Sequence, residues 1–331
     1  MMKTNDTVNW ALVGTGNIVK KFLIGLRAAE GARAAAVVSR SQDTADRFAR
    51  EFNIPRGYGS YEEMLADPEI DAVYIGTPHS THRDYAVKAF EAKKAVLCEK
   101  PVCINAGEMA EIIASAKSNG VFFMEAMWTR FLPAVAKVRS WLEDGLIGDV
   151  KMAEACFGFT VPWNPEGRLL NINLGGGALL DAGVYPISFA SMVFGGGKPE
   201  TVSGLLSFGE TGVDEQFTGT ISYGGHRMAA VSAAIRTTMV SDAWIYGTLG
   251  RIHLPDFVFG RSSSLIIDGK YIQRCEPDFI SNGYNYEVEE VQRCLRAGQT
   301  ESPVMPPEES LRIMETMDAV RSRWDFRYPF E

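Results

Sequence analysis

Lys100 closes a run of small and apolar residues, Ala95-Val-Leu-Cys-Glu-Lys-Pro101. The run reads as a short buried strand from Ala95 to Cys98 that delivers an acid, a base and a proline together. In open α/β sheets ligands bind beyond the carboxyl ends of the strands, so a lysine placed there is aimed at a ligand and not at bulk solvent. Pro101 restricts Lys100 to extended backbone angles, and a Lys-Pro bond adopts the cis form at a cost of only about 0.5–1 kcal/mol. A second polar pair lies in Gly175-Gly-Gly-Ala-Leu-Leu-Asp181-Ala-Gly-Val-Tyr185-Pro186. If this turn of chain is helical, Asp181 and Tyr185 stand at i and i+4 on one face, where both reach the same small molecule. Pro186 limits that case, because it disfavours helical angles at Tyr185 unless the helix is kinked or only starting there. A polar pair among Leu179, Leu180, Val184 and Ile187 must be hydrogen-bonded or face a cleft. Beside three glycines the cleft is the better reading; the bland one is a capping Asp and a core Tyr.

The elements that position these groups begin with Val8 to Val13, an apolar-rich strand running into Gly14-Thr15-Gly16-Asn17-Ile18-Val19 and a helix from about Ile18 to Ala29. Strand, glycine turn and helix are the context of a dinucleotide fingerprint, with Gly14 for the tight turn and Gly16 for close approach of the pyrophosphate to the helix N-terminus. The third position holds Val19 where Gly or Ala is usual, which implies wider strand–helix spacing. A second strand, Ala34 to Val38, ends in Ser39-Arg40-Ser41. No carboxylate stands there to bind a ribose 2′-hydroxyl, whereas Ser39 and Arg40 suit a 2′-phosphate, so NADP is expected over NAD.

Ser60-Tyr-Glu-Glu63 reads as a capping box. Asp71 to Ile75 is a strand ending at Gly76-Thr77-Pro78-His79-Ser80-Thr81-His82, followed by a helix to about Lys93. Strand, loop and helix alternate with short connections, which argues for a right-handed, doubly wound parallel sheet. Ala106 to Ser118 is amphipathic, and a strand over Val121 to Met124 leads into Glu125-Ala-Met-Trp128-Thr-Arg130. Trp128 and Arg130 border a nicotinamide and substrate at that edge, or pack in the core and pair in a salt bridge. Past Gly148-Asp149 the period changes to two at Val150–Thr160, Thr201–Phe208, Gln216–Tyr223, Arg227–Arg236 and Asp242–Gly247, a mostly antiparallel sheet. The stretch 227–236 is small or apolar on both faces, so the second face is expected to be covered by another subunit. Helices near Asn285–Ala297 and Glu308–Arg323 close the chain.

A length of 331 residues favours two domains, read here as 1–125, binding NADP, and 126–331, binding substrate and dimerising. The net charge of −8, with no long basic run, argues against nucleic acid as a partner. Met1 to Asn9 lacks the apolar core of a targeting segment and no apolar run approaches the roughly 20 residues of a membrane span, so a cytoplasmic protein without a membrane partner is expected. Five cysteines are scattered without a C-x-x-C, and among four histidines only His79 and His82 are close. No structural metal is expected.

The Gly14-Thr-Gly16 turn, the Thr77-Pro78 to His82 loop, the Glu99-Lys100-Pro101 end and the glycine-rich Asp181 to Tyr185 stretch together resemble the Gfo/Idh/MocA oxidoreductases over almost the whole chain. Met124-Glu-Ala-Met-Trp-Thr-Arg130, and a Tyr at position 185 where many members have His, are similar to the branch of dimeric dihydrodiol dehydrogenases and NADP-dependent D-xylose dehydrogenases. The resemblance implies an N-terminal Rossmann domain, a C-terminal α+β domain with a large open sheet used in dimerisation, and a cis Lys100-Pro101 bond. It implies Lys100 and Tyr185 as the catalytic pair with Asp181 binding or orienting substrate. A tyrosine with a pKa near 10 is a poor base at neutral pH, and a neighbouring ammonium favours the phenolate. Tyr185 is therefore read as general base, Lys100 as the group that tunes it and binds the substrate oxygen, and Asp181 as the holder of a further hydroxyl; alternatively Lys100 takes the proton directly.

The expected cofactor set is Gly14, Thr15, Gly16, Asn17, Ile18, Ser39, Arg40, Thr77, Pro78, His79, His82, Glu99, Lys100, Trp128 and Arg130. Trp163, Arg168 and Phe279 are expected to line the substrate. The activity expected is oxidation or reduction of a CH-OH group of a sugar or vicinal diol. The alternatives are an inositol or amino-sugar dehydrogenase, or a dinucleotide-binding sensor or repressor without catalysis.

Overall fold

The computed structural model describes residues 7–331, so part of the N-terminal stretch Met1 to Asn9 lies outside the described residues. Val8–Val13 (β1) is buried at every position but Asn9, because the strand lies mid-sheet with both faces covered. The chain continues through α1 (Asn17–Ala28), β2 (Ala32–Val38), α2 (Gln42–Glu51), β3 (Arg56–Tyr58), α3 (Tyr61–Leu65), β4 (Ala72–Ile75), α4 (His82–Glu91), β5 (Ala95–Glu99), α5 (Ala106–Asn119) and β6 (Phe123–Ala126). The six strands pair in parallel in the order β3-β2-β1-β4-β5-β6, the doubly wound order of a dinucleotide-binding sheet. Ser60 caps α3, its Oγ accepting from the Glu63 amide at 3.3 Å, as the capping box predicts. β6 begins two residues later than the pattern suggests, because Val121 still bonds back to Ala116 and closes the turn after α5.

Next come α6 (Pro133–Glu143), β7 (Val150–Gly158), a π-turn over Leu179–Gly183, and α7 (Val184–Val193). They are followed by β8 (Thr201–Phe208), β9 (Asp214–Ser222), β10 (Met228–Ala234), β11 (Asp242–Gly247), β12 (Gly250–Pro255), β13 (Ser263–Ile267), β14 (Lys270–Cys275), α8 (Asn285–Arg296) and α9 (Pro307–Ser322). The second sheet has eight strands in the order β14-β13-β12-β11-β7-β10-β9-β8, antiparallel except for the β7/β10 pair.

Two compact units result: residues 1–103 with 107–131 and 279–308, and residues 104–106 with 132–278 and 309–331. In the first, α8 packs on α1, and Gly25 is a glycine because a Cβ there would strike Tyr284 and Asn285. In the second, α7 lies on β7 and β10, where Ala153, Ala155, Ala229, Val231 and Ala233 are buried. Small side chains let the helix approach closely enough to pack without voids. The strand read as apolar on both faces alternates in burial: Met228, Ala230 and Ser232 point to the other, open face and are only partly covered.

Candidate active site

In the first unit the strand order reverses between β1 and β4, and their C-terminal loops meet there. A Cβ on Gly14, at φ +105°, would lie 3.3 Å from the Gly76 carbonyl oxygen, so glycine is required. The space a third fingerprint glycine would leave is filled by buried Val19, and Gly76 makes room for it: a Cβ on Gly76 would meet Val19 Cγ2 at 2.7 Å. Gly16 is different, since a Cβ there would touch nothing within 4 Å. That opening, with an α1 N-terminus that has no side-chain cap and no acidic residue in its first turn, fits a dinucleotide pyrophosphate. Thr15 borders it half-buried, Asn17 is exposed and Ile18 half-buried; Ser39 and exposed Arg40 follow β2.

The loop after β4 is braced internally. Thr81 Oγ1 donates to Pro78 O and shares a hydrogen bond with Thr77 Oγ1, both at 2.8 Å, and buried His79 opens a 3₁₀ turn with its ring edge-on to that of His82. His82 is buried with Nε2 2.8 Å from Thr77 O and Nδ1 3.1 Å from Pro101 O. Both partners are acceptors, and a neutral imidazole has one N–H to donate. His82 thus lies between this loop and the turn that holds Lys100, donating to one of the two carbonyls.

The Lys100-Pro101 bond is cis and Lys100 is half-buried. The turn is pinned on both sides of the proline by buried carboxylates: Glu99 Oε2 accepts from the Lys100 amide at 3.1 Å and Glu125 Oε1 from the Val102 amide at 3.1 Å. Tyr74 Oη donates to Glu99 Oε1 at 2.6 Å and its ring stacks on Phe22. Burial and the facing Glu99 push the Tyr74 hydroxyl well above its ordinary pKa, so it stays a donor. Glu287 of α8 is wholly buried with both oxygens unpartnered, and burial, then Glu99, pushes its carboxyl well above the usual range. Trp128, buried, stacks on Tyr284 at 4.9 Å, and Arg130 is buried in the same turn after β6. Tyr74 and Glu125 escaped the sequence reading because each bonds to a residue distant in the chain.

In the second unit Asp181 sits in the π-turn and Tyr185 at the second position of α7. Pro186 thus falls in the first helical turn, where its missing N–H is tolerated, and the wider turn just before it absorbs the interruption. Asp181 is buried and accepts from Arg168 Nη2 at 2.9 Å, an ion pair whose arginine remains partly exposed. Tyr185 is half-buried, its ring edge-on to Phe157 of β7 at 5.5 Å. Trp163 is exposed beneath the Arg236 guanidinium, 5.6 Å from its ring centre. Phe279 belongs to the first unit and packs on Tyr286. Among the described residues no group of three or more His, Cys, Asp or Glu is arranged to hold a metal, and all five cysteines are free.

A doubly wound sheet, an open glycine turn at its switch point, and a lysine at a strand end define a dinucleotide-dependent enzyme of the Rossmann class. The chain belongs to the Gfo/Idh/MocA oxidoreductases: residues 8–127 match the oxidoreductase family with an NAD-binding Rossmann fold, and residues 135–253 match the GFO/IDH/MocA C-terminal domain. It is 40% identical to a trans-1,2-dihydrobenzene-1,2-diol dehydrogenase of Xenopus laevis over 97% of this chain and 99% of the relative. It is 36% identical to that of Homo sapiens over 97% and 98%. Among solved structures it shares its fold with an aldose-aldose oxidoreductase from Caulobacter crescentus (TM-score 0.88, 22% identity, 97% and 98% covered). A 3-ketoreductase from Actinomadura kijaniata, solved with NADP and TDP-benzene, is similar in fold (TM-score 0.84, 24% identity, 96% and 98% covered).

Proposed function

We propose that this oxidoreductase uses NADP to oxidise or reduce a CH-OH group of a sugar or vicinal diol, with Tyr185 as general acid/base, assisted by Lys100. The observation that carries this reading is the 36–40% identity, over nearly the full length of both chains, to trans-1,2-dihydrobenzene-1,2-diol dehydrogenases. A nicotinamide bound there would supply the hydride acceptor, or donor, for the carbinol carbon. In the oxidising direction Tyr185 Oη takes the hydroxyl proton, Lys100 Nζ hydrogen-bonds the same substrate oxygen, and Asp181 accepts from a neighbouring hydroxyl. The cofactor would be held by the glycine turn at Gly14–Gly16 and by the loops carrying Arg40, Thr77 and Lys100. The test is the initial rate of reduced nicotinamide formation at alkaline pH over aldoses, inositols and a trans-dihydrodiol, with NADP and with NAD. Turnover of a diol or an aldose with NADP preferred is the expected result; tight NADP binding with no turnover on any of them supports a sensor instead.

Support for NADP comes from Ser39 and Arg40, which follow β2 without an adjacent carboxylate. Charge-assisted bonds to a 2′-phosphate contribute roughly 1.5–3 kcal/mol, so Arg40→Ala is expected to raise the KM for NADP about 10- to 100-fold and leave that for NAD unchanged. The reading includes a cytoplasmic homodimer formed through the open sheet face. Leu205 is 63% and Met228 50% exposed there, beside a groove of about 600 Å³ lined by Cys156, Thr218, Ser232, Trp244 and Tyr246. An apolar face of this kind calls for a partner. Leu205→Glu is expected to halve the mass seen by light scattering; an unchanged mass counts against this interface.

A further inference from the structure

We propose that Asp214 and Tyr328 are positioning residues that clamp the glycine turn ahead of α7 and thereby fix where Asp181 and Tyr185 stand; the inference rests on the roles proposed above for those two side chains. Asp214 opens β9 and is 1% exposed. Its Oδ2 accepts from the Leu179 amide at 2.6 Å, at the start of the turn that carries Asp181. Tyr328, 2% exposed, holds the other side: its Oη donates to Gly176 O at 2.8 Å. Gly177 lies between these two bonds at φ +131°, and a Cβ there would overlap Asp214 Oδ1, so only glycine lets the carboxylate come so near.

Tyr328 is itself held. Arg321, buried on α9, donates from Nη1 to Glu331 Oε2 at 2.7 Å, from Nη2 to Asp318 Oδ1 at 2.6 Å and to Ile104 O at 3.1 Å. Its guanidinium lies 5.4 Å over the Tyr328 ring, and the Tyr328 amide donates to Glu331 Oε2 at 2.7 Å. The residues after α9 thus form a structured strap that reaches the site through the Tyr328 hydroxyl on Gly176.

A carboxylate bonded to the first amides of a helix is stronger than a neutral acceptor, because the bond is charge-assisted and meets the positive end of the helix. Burying that charge is costly, and burial pushes Asp214 up to about 7 against the pull of the Leu179, Asp214 and Ala178 amides and of Arg321. Arg321 is the facing cation and Tyr328 the other titratable neighbour. The native value lies above the unfolded one, so this group subtracts stability increasingly as pH rises from about 4 to about 7, and fully above that. The grip on Leu179 runs the other way, being charge-assisted only above about pH 7.

Asp214→Asn and Tyr328→Phe in the full chain test the clamp by two readouts. Hydrogen exchange of residues 175–189 is expected to quicken in both variants while the rest of the second unit keeps its protection. For diol oxidation kcat is expected to fall about 10- to 100-fold, with the NADP Kd changed less than about twofold. The wild-type kcat is expected to carry, beside the rise set by Tyr185, a further decline as pH falls through about 7 that Asp214→Asn lacks. Unchanged exchange in both variants overturns the proposal, as does quickened exchange spread evenly over the whole unit. Tyr185→Phe measured beside them separates the two claims: full turnover there defeats the assignment of Tyr185, while the exchange result still decides the clamp.

Discussion

Replacing Tyr185 by Phe is expected to lower kcat for the preferred diol or sugar by about 10²–10⁴, or about 3–5.5 kcal/mol of barrier, with little change in the NADP Kd. The substitution removes one oxygen and keeps the ring, so the edge-on contact with Phe157 survives. The melting temperature should therefore stay near the wild-type value, which separates a chemical loss from a folding loss. A hydroxyl that only bound substrate would raise KM and leave kcat standing. Turnover close to wild type across pH would exclude Tyr185 as the proton acceptor and move that role to Lys100.

Lys100→Met is the second large effect. It keeps an apolar stem of similar length and removes the ammonium, and it leaves the bonds that build the turn untouched, because Glu99 and Glu125 grip the amides of Lys100 and Val102. Loss of one preorganised donor at a reacting oxygen costs roughly 10²–10³ in rate. The pH profile carries the more specific information. If the ammonium favours the phenolate of the base, its removal shifts the midpoint of the rise in oxidation rate to higher pH. Lys100→Arg retains the charge and should keep the midpoint while losing rate through the different shape of the guanidinium. A rate loss with no displacement of the midpoint in Lys100→Met would make Lys100 a binding group alone.

Both experiments rest on residues that are visible without a structure, and the reason is local. Gly14 and Gly16 follow a strand and precede a helix within a few residues, so backbone geometry and nearby sterics suffice to identify them. Lys100 announces itself by ending an apolar strand before a proline, and Asp181 and Tyr185 by being polar in an apolar run behind three glycines. Strands Thr201–Phe208 and Asp242–Gly247 are readable to the residue from their alternation. The short or irregular ones, β3 and β12 to β14, are not, since their pairing is decided by neighbours in the sheet.

What the amino-acid order determines by itself is thus the set of candidate groups, the doubly wound start and the family. Tertiary structure alone decides what holds those groups still. The partners are remote in the chain: Tyr74 on Glu99, Glu125 on Val102, Arg168 on Asp181, Asp214 on Leu179, and Tyr328 on Gly176. The return of residues 279–308 to the first unit, where α8 packs on α1, is of the same kind. A helix or glycine turn is a matter of a few neighbouring dihedrals, whereas a buried carboxylate finds its amide only after the chain has paid the entropy of bringing distant segments together.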